Sequence, residues 1–328
     1  MSTGEKQENH PAFPFSPLPS LMTVRSLDFL DLPFLSRYSQ DVLPLYSAYS
    51  VTRGNPLNAT ALLSSLNPRR NLYTAIATEN GNSLIGQIAL TGEGTTARLV
   101  FLAPGRQLGG LALSLLDHLS KQAGEWGALY LLAEVDEDSL AFPLLRQAGF
   151  AMYAWQRVWK LPAFPTQTDA SVWRPAQETD WPAVQSLHGQ IVPAMLHVIE
   201  ELPRQASGLV CAGEGGLQAY TSLTTGPVGV WIQPLVPPDS GCFPAQLLAL
   251  VRANARWKQR TAAVCVRSYQ AWLETPLAEL GAGAGPRQAV MVKRLAKTVK
   301  EAQVVPAMEQ VLGKAKPAAP VSRAEGKK

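Results

Sequence analysis

The sequence predicts an α/β (α+β) protein made of two tandem halves, each a mixed, mostly antiparallel sheet flanked by helices. Three observations predict it. A buried-strand pattern, Ala97-Arg98-Leu99-Val100-Phe101-Leu102, runs through a glycine-containing turn into a leucine-rich helix. On either side of that junction, strand-like and helix-like segments alternate, punctuated by glycine and proline. Later blocks also repeat earlier ones at nearly constant offset: Pro104 with Pro237, Leu145 with Pro276 or Leu277, Gly149 with Gly281. A tandem duplication explains that spacing economically.

At 328 residues, 46% of them hydrophobic, the chain is long enough to bury two cores. We divide it into a disordered lead-in (1–20), a first domain (21–162), a linker (163–170), a second domain (171–298) and a basic flexible tail (299–328). Net charge is +4, and the tail holds six Lys/Arg against three Asp/Glu, so the folded part is nearly neutral. That balance argues against a nucleic-acid surface and reads the tail as solvated. The chain has no apolar run of about eighteen residues and no basic-then-apolar leader, so a cytoplasmic protein without membrane contact is expected. Cys211, Cys242 and Cys265 are widely spaced and lack a Cys-x-x-Cys, which predicts reduced core thiols.

In order, residues 21–27 predict an edge strand, and Asp28 opens a leucine- and phenylalanine-rich helical stretch. Pro33, Pro44, Pro56 and Pro68 then cut the chain into short helices and loops. Residues 72–78 and 83–91 are strands joined by the hairpin signal Glu79-Asn80-Gly81-Asn82. Leu111, Leu115, Leu116, Leu119, Ala123 and Trp126 form one helical face, ended at Gly124 and Gly127. Residues 128–135 are a strand, and Asp138 or Ser139 caps a helix that stops at Gly149. Residues 150–161 form the strand that closes the first half. In the second half, Val172-Trp173-Arg174-Pro175 restarts the pattern of Val24-Arg25-Ser26-Leu27. Strands follow at 228–235 and 261–266, with helices at 243–257 and 270–280. Gly281-Ala282-Gly283-Ala284-Gly285 reads as a helix stop and flexible turn.

The chemistry centres on the turn into the leucine helix. Gly109 and Gly110 lack a Cβ, so an anionic group can approach the unpaired N–H donors of the first turn, where the helix dipole also favours it. The run Leu102-Ala103-Pro104-Gly105-Arg106-Gln107-Leu108-Gly109-Gly110-Leu111-Ala112 resembles the acyl-CoA-binding motif of the GNAT N-acetyltransferase superfamily, with Leu102, Pro104, Gln107, Gly110 and Ala112 in its slots. The resemblance implies that Leu102, Ala103, Gly105, Arg106, Gln107, Leu108, Gly109, Gly110, Leu111 and Ala112 bind acetyl-CoA as cosubstrate. Residues 105–111 would hold its pyrophosphate, and an N–H near Leu102 or Ala103 would polarise the thioester carbonyl. The parallel strands flanking the helix would splay to admit the pantetheine arm.

Ala141, Leu144, Gly149 and Phe150 match a second motif of that family, but Leu145 stands where many members carry a tyrosine that protonates the leaving thiolate. Catalysis would then need water, another residue such as Tyr153, or no general acid at all. Glu134 is the candidate base: it interrupts an apolar run, where desolvation would raise its pKa, and Glu93 is a weaker choice. In the second half Asp239 and Phe243 fall in the loop slots, so that half is expected not to bind CoA in the same way. His118 is expected at the surface, and His188 and His197 do not have metal-pair spacing. The expected function is an N-acyltransferase moving an acetyl group from acetyl-CoA to a primary amine. The alternative is a non-catalytic acyl-CoA-binding or scaffold protein.

Overall fold

The structure, a computed structural model, describes residues 22–31, 35–58, 71–91, 94–106, 108–162, 173–200, 202, 208–213, 216–240 and 260–296. The first half runs β1 (Thr23–Ser26), β2 (Leu43–Pro44), α1 (Ser47–Arg53), β3 (Leu72–Glu79), β4 (Asn82–Thr91), β5 (Thr96–Ala103), α2 (Gly109–Glu125), β6 (Tyr130–Asp136), α3 (Ala141–Gln147) and β7 (Ala151–Lys160). The second runs β8 (Trp173–Pro175), α4 (Trp181–Ile191), β9 (Gly208–Gly213), β10 (Gly216–Thr225), β11 (Gly229–Leu235), β12 (Thr261–Arg267), α5 (Glu274–Glu279) and β13 (Gly283–Arg294).

Local chemistry explains many of these elements. Asn80 and Gly81 take φ of 50° and 80°, the left-handed pair that an Asn-Gly hairpin favours, and they set the β3–β4 register from Leu72↔Ala89 to Glu79↔Asn82. On α2, Ala112, Leu115, Leu116, Leu119 and Ala123 are buried along one stripe, which packs on Leu84, Ile88, Leu99 and Leu131 of the sheet. Each such leucine contributes about 1.5–3 kcal/mol by leaving water. On the opposite face Ile76, Ile85, Val100 and Phe101 pack with Leu35 and Leu57. Instead of the helix expected from Asp28, the described residues form short 3-10 turns at Phe29–Asp31 and Ser36–Tyr38. There Asp31 accepts from the Asp28 N–H (2.9 Å) and from both Arg25 terminal nitrogens (2.7 Å each), which ties the turn to β1.

The second half repeats that tie. Asp180 accepts from Arg174 at 2.6 and 2.7 Å and from the Gln177 N–H at 2.8 Å, and its carboxyl is pulled down to about 2, first by Arg174. The same device thus stands at the start of each half.

The halves share one sheet, ordered β1-β3-β4-β5-β6-β13-β7-β12-β11-β10-β9-β8 among the described residues. β7 forms at the expected place, but its outer edge pairs with β12, from Ala263↔Lys160 to Arg267↔Gln156. β6 is covered by β13, from Gln288↔Asp136 to Arg294↔Tyr130. Each half is thus closed by a strand of the other. β13 also corrects part of the glycine-rich reading. Gly281, with φ 73°, does turn the chain, but Gly283 and Gly285 belong to the strand. A Cβ on Gly285 would meet the Val158 carbonyl oxygen at 2.9 Å, so glycine permits close strand approach there.

Cys265 is a free buried thiol, whereas Cys211 is disulfide-bonded, which corrects the expectation of three reduced thiols. Sequence spacing carries no information about which sulfurs meet in space. The expected helix at 243–257, the linker, the lead-in, the tail, Glu93, Gln107 and Cys242 lie outside the described residues.

Candidate functional site

β5 delivers the chain through Pro104, Gly105 and Arg106 to α2, whose 17 residues begin at Gly109. Leu108 occupies the N-cap without a side-chain hydrogen bond to the first turn. Gly109 and Gly110 are exposed, and a Cβ built on either meets no atom within 4 Å. The helix start is therefore an open cradle of N–H donors with the positive end of the helix dipole behind it. Leu108 and Ala112 are buried and anchor the cradle from below, and Arg106 projects outward within 3.9 Å of Asp41.

The neighbouring cleft differs from expectation. β5 and β6 pair in parallel only at Thr96↔Tyr130, Ala97↔Leu131 and Arg98↔Leu132, and then diverge as expected. The gap between them is filled by the chain itself. β2 pairs with the free edge of β5 at Leu43↔Leu102 and Pro44↔Phe101. The Leu45 N–H donates to the Val100 carbonyl (2.9 Å), and the Glu134 N–H donates to the Leu45 carbonyl (2.9 Å). The Gly105 N–H donates to Asp41 O at 2.9 Å, and a Cβ on Gly105 would sit 2.9 Å from the Leu43 Cβ.

The second half is sealed at the equivalent place by different means. β11 and β12 pair from Gly229↔Thr261 to Ile232↔Val264. Two residues further on, Gln270 donates its Nε2 to the Pro234 carbonyl (3.0 Å), while its Oε1 accepts the Val236 N–H (3.1 Å).

Between the clefts lies a buried polar network. Glu134, 2% exposed, receives the Ser47 N–H at 2.8 Å and Arg98 Nη1 at 3.2 Å, and Arg98 stacks over Tyr46 at 4.8 Å. Burial pushes the Glu134 carboxyl up, but Arg98, Arg267 and the Ser47 N–H together hold it below its usual value. The expected upward shift is therefore reversed. The Tyr153 hydroxyl donates to Glu200 Oε1 at 2.8 Å, and Arg267 Nη2 lies 3.0 Å from the same oxygen. Burial first, with Glu200 adding to it, raises the Tyr153 pKa well above its ordinary value. Arg267 also donates to Gln156, whose Nε2 donates to Gln288 Oε1 at 2.8 Å. Gln288 in turn accepts from the Ser47 hydroxyl at 3.0 Å and donates to Asp136 at 2.9 Å.

No protein-family model matches the chain, and no curated protein matches it. Solved structures do match. A GCN5-related N-acetyltransferase from Sphaerobacter thermophilus aligns at 14% identity over 83% of this chain and 95% of its own, with a TM-score of 0.50. A candidate acetyltransferase from Pyrococcus horikoshii aligns at 12% identity over 88% and 94%, also with a TM-score of 0.50. The chain has the GCN5-related N-acetyltransferase (GNAT) fold.

Within the GNAT fold the strand, loop and helix of residues 96–125 stand in the order the motif requires. Glu134 and Tyr153 belong to one network through Arg267, yet each already has a partner: Glu134 is engaged by Arg98 and Ser47, and Tyr153 is turned to Glu200. Leu145, on α3, is fully buried in the core. Sequence reasoning missed Arg98, Gln156, Glu200 and Gln288, and read Arg267 only as part of a structural stretch. The one available signal was a charged residue interrupting an apolar strand, as at Arg98 and Arg267. His118 is half-buried and bonded to the Tyr73 hydroxyl at 2.8 Å. The His188 and His197 rings lie 5.0 Å apart, but each Nε2–H is given to a main-chain carbonyl, of Glu200 and Val192. Among the described residues no group of three or more metal-binding side chains occurs, and no helix is long and apolar enough to cross a membrane.

Proposed function

We propose that the chain is an N-acyltransferase that takes an acetyl group from acetyl-CoA and passes it to the primary amine of an acceptor. The observation that carries this is the open, uncapped start of α2 directly after β5 in a GNAT fold. The cradle at Gly109 and Gly110, with Gly105, Arg106, Leu108, Leu111 and Ala112 around it, suits a diphosphate. The fit to the rest of the cosubstrate is incomplete, because Leu43 and Leu45 hold the strand edge at Leu102 and Val100 that an extended pantetheine arm would use. No catalytic step is therefore assigned to Glu134 or Tyr153. We place them as groups that fix the floor of the acceptor side.

A second reading, non-catalytic binding of acyl-CoA, is favoured by that occupied edge and by Leu145. Two measurements separate the readings. Calorimetry with CoA should give 1:1 binding that Gly110→Trp abolishes; Gly110 is exposed and a Cβ there meets nothing within 4 Å, and a melting temperature measured beside it separates loss of ligand from loss of fold. Thiol release from acetyl-CoA over a panel of amines should then show turnover, whereas binding without turnover supports the second reading.

A further inference from the structure

We propose that residues 41–47 are a built-in competitor for the cofactor arm, so that CoA and this segment occupy the first cleft one at a time. The proposal deepens the function above and rests on the first half taking a CoA thioester at α2.

Its basis is main-chain geometry. Past Arg98, β5 loses β6 as a partner and presents a bare edge of alternating acceptors and donors. A pantetheine arm is an extended chain carrying two amides, so it needs the same kind of edge that a peptide strand needs. Leu43 and Leu45 already take it, at Leu102 and Val100. One strand edge pairs with one extended chain at a time, so the arm and residues 43–45 cannot hold Val100 and Leu102 together.

The second half supports the principle independently. There the side-chain amide of Gln270, 1% exposed, spans Pro234 O and Val236 N, so an internal amide satisfies the matching edge. Bare strand edges inside this fold have to be paired. In the second half a single side chain does so, locked beside Trp272, whose indole N–H donates to Val236 O at 3.0 Å.

In the first half the stopper is a stretch of main chain with an exposed residue, Gln40, before it and a left-handed Gly54 (φ 77°) after α1. Its holding contacts can be counted: Leu45 to Val100, Glu134 to Leu45, Ser47 to Glu134, and Gly105 to Asp41. When it leaves, Glu134 keeps Arg98, so no buried charge is stranded. CoA must displace these contacts to bind, and its apparent affinity is lowered by the fraction of molecules in which they are closed.

The test is CoA calorimetry on the full chain and on Ser47→Pro. Proline at the first position of α1 keeps the helix while deleting both the N–H that holds Glu134 and the hydroxyl that holds Gln288. Tyr46, with φ −142° and ψ 96°, already has a backbone suited to precede proline. The expected result is CoA binding at least tenfold tighter in Ser47→Pro, with Gly110→Trp abolishing it in both backgrounds. Equal affinities, with binding still abolished by Gly110→Trp, overturn the competitor and leave the α2 site standing. No binding by either protein overturns the α2 site and the competitor with it. Should Ser47→Pro fail to fold, hydrogen exchange on the unaltered chain decides. Saturating CoA should speed exchange at Leu45 and Ser47 while slowing it at Gly110 and Leu111, and unchanged protection at Leu45 overturns the proposal.

Discussion

At the residue scale, the charges of the buried network are held in place by one another. Glu134 sits between Arg98 and the Ser47 N–H, and removing one member of such a pair leaves the other short of a partner. Glu134→Gln should destabilise the protein by about 3 kcal/mol at pH 7 in denaturant titration. Because the folded-state pKa of Glu134 lies below its unfolded value, its stabilisation is full above about pH 4.3 and is lost as pH falls through the lower folded value. The variant should therefore lose less stability than the parent as pH falls from about 5 to about 3. His188 follows the same sign. Burial lowers its pKa, so its contribution is complete above about pH 6.5 and declines as protonation sets in below it. His188→Gln keeps a donor for the Glu200 carbonyl, 2.7 Å away, and should flatten the melting temperature across that range.

At the element scale, α2 is pinned from beneath and free at its start. Gly86 on β4 is the tightest point of the seat: a Cβ there would lie 2.8 Å from Leu119 Cδ1 and 3.0 Å from Leu102 Cδ2. Gly86→Val should cost about 2 kcal/mol by overpacking, read as a lower denaturation midpoint. Gly110 faces the opposite situation and tolerates bulk sterically, which is why its variant reports on ligand rather than fold. The helix was legible in the sequence from its leucine spacing, and its open start from the glycines at 109 and 110. β2 was not legible. Two residues with a proline among them carry no strand pattern, and their pairing with β5 uses main-chain groups that every residue has.

At the scale of the whole molecule, the exchange of β7 and β13 makes neither half complete alone. A chain of residues 22–162 would keep β7 but lose β13, leaving the long edge of β6 bare. Such a fragment should not give a folded monomer. It should dimerise by donating β7 to its partner, or else aggregate, as light scattering would show. A cooperatively unfolding monomer would contradict the exchange as the source of stability. The repeated Arg25–Asp31 and Arg174–Asp180 ties were partly visible as a restarted sequence pattern, because the same short motif serves the same local turn.

The sequence by itself determined the hairpin at Asn80-Gly81, the leucine helix with its open start, and the doubling of the unit. Each depends on residues within a turn or two of one another, where side-chain identity decides the conformation. Tertiary structure alone decided which strand closes which half, that Leu43 to Ser47 fill the first cleft and Gln270 the second, and that Glu134 is held charged by Arg98. Those outcomes turn on backbone edges seeking partners and on charges meeting across distant segments, and the N–H and C=O groups that settle them are the same in every residue.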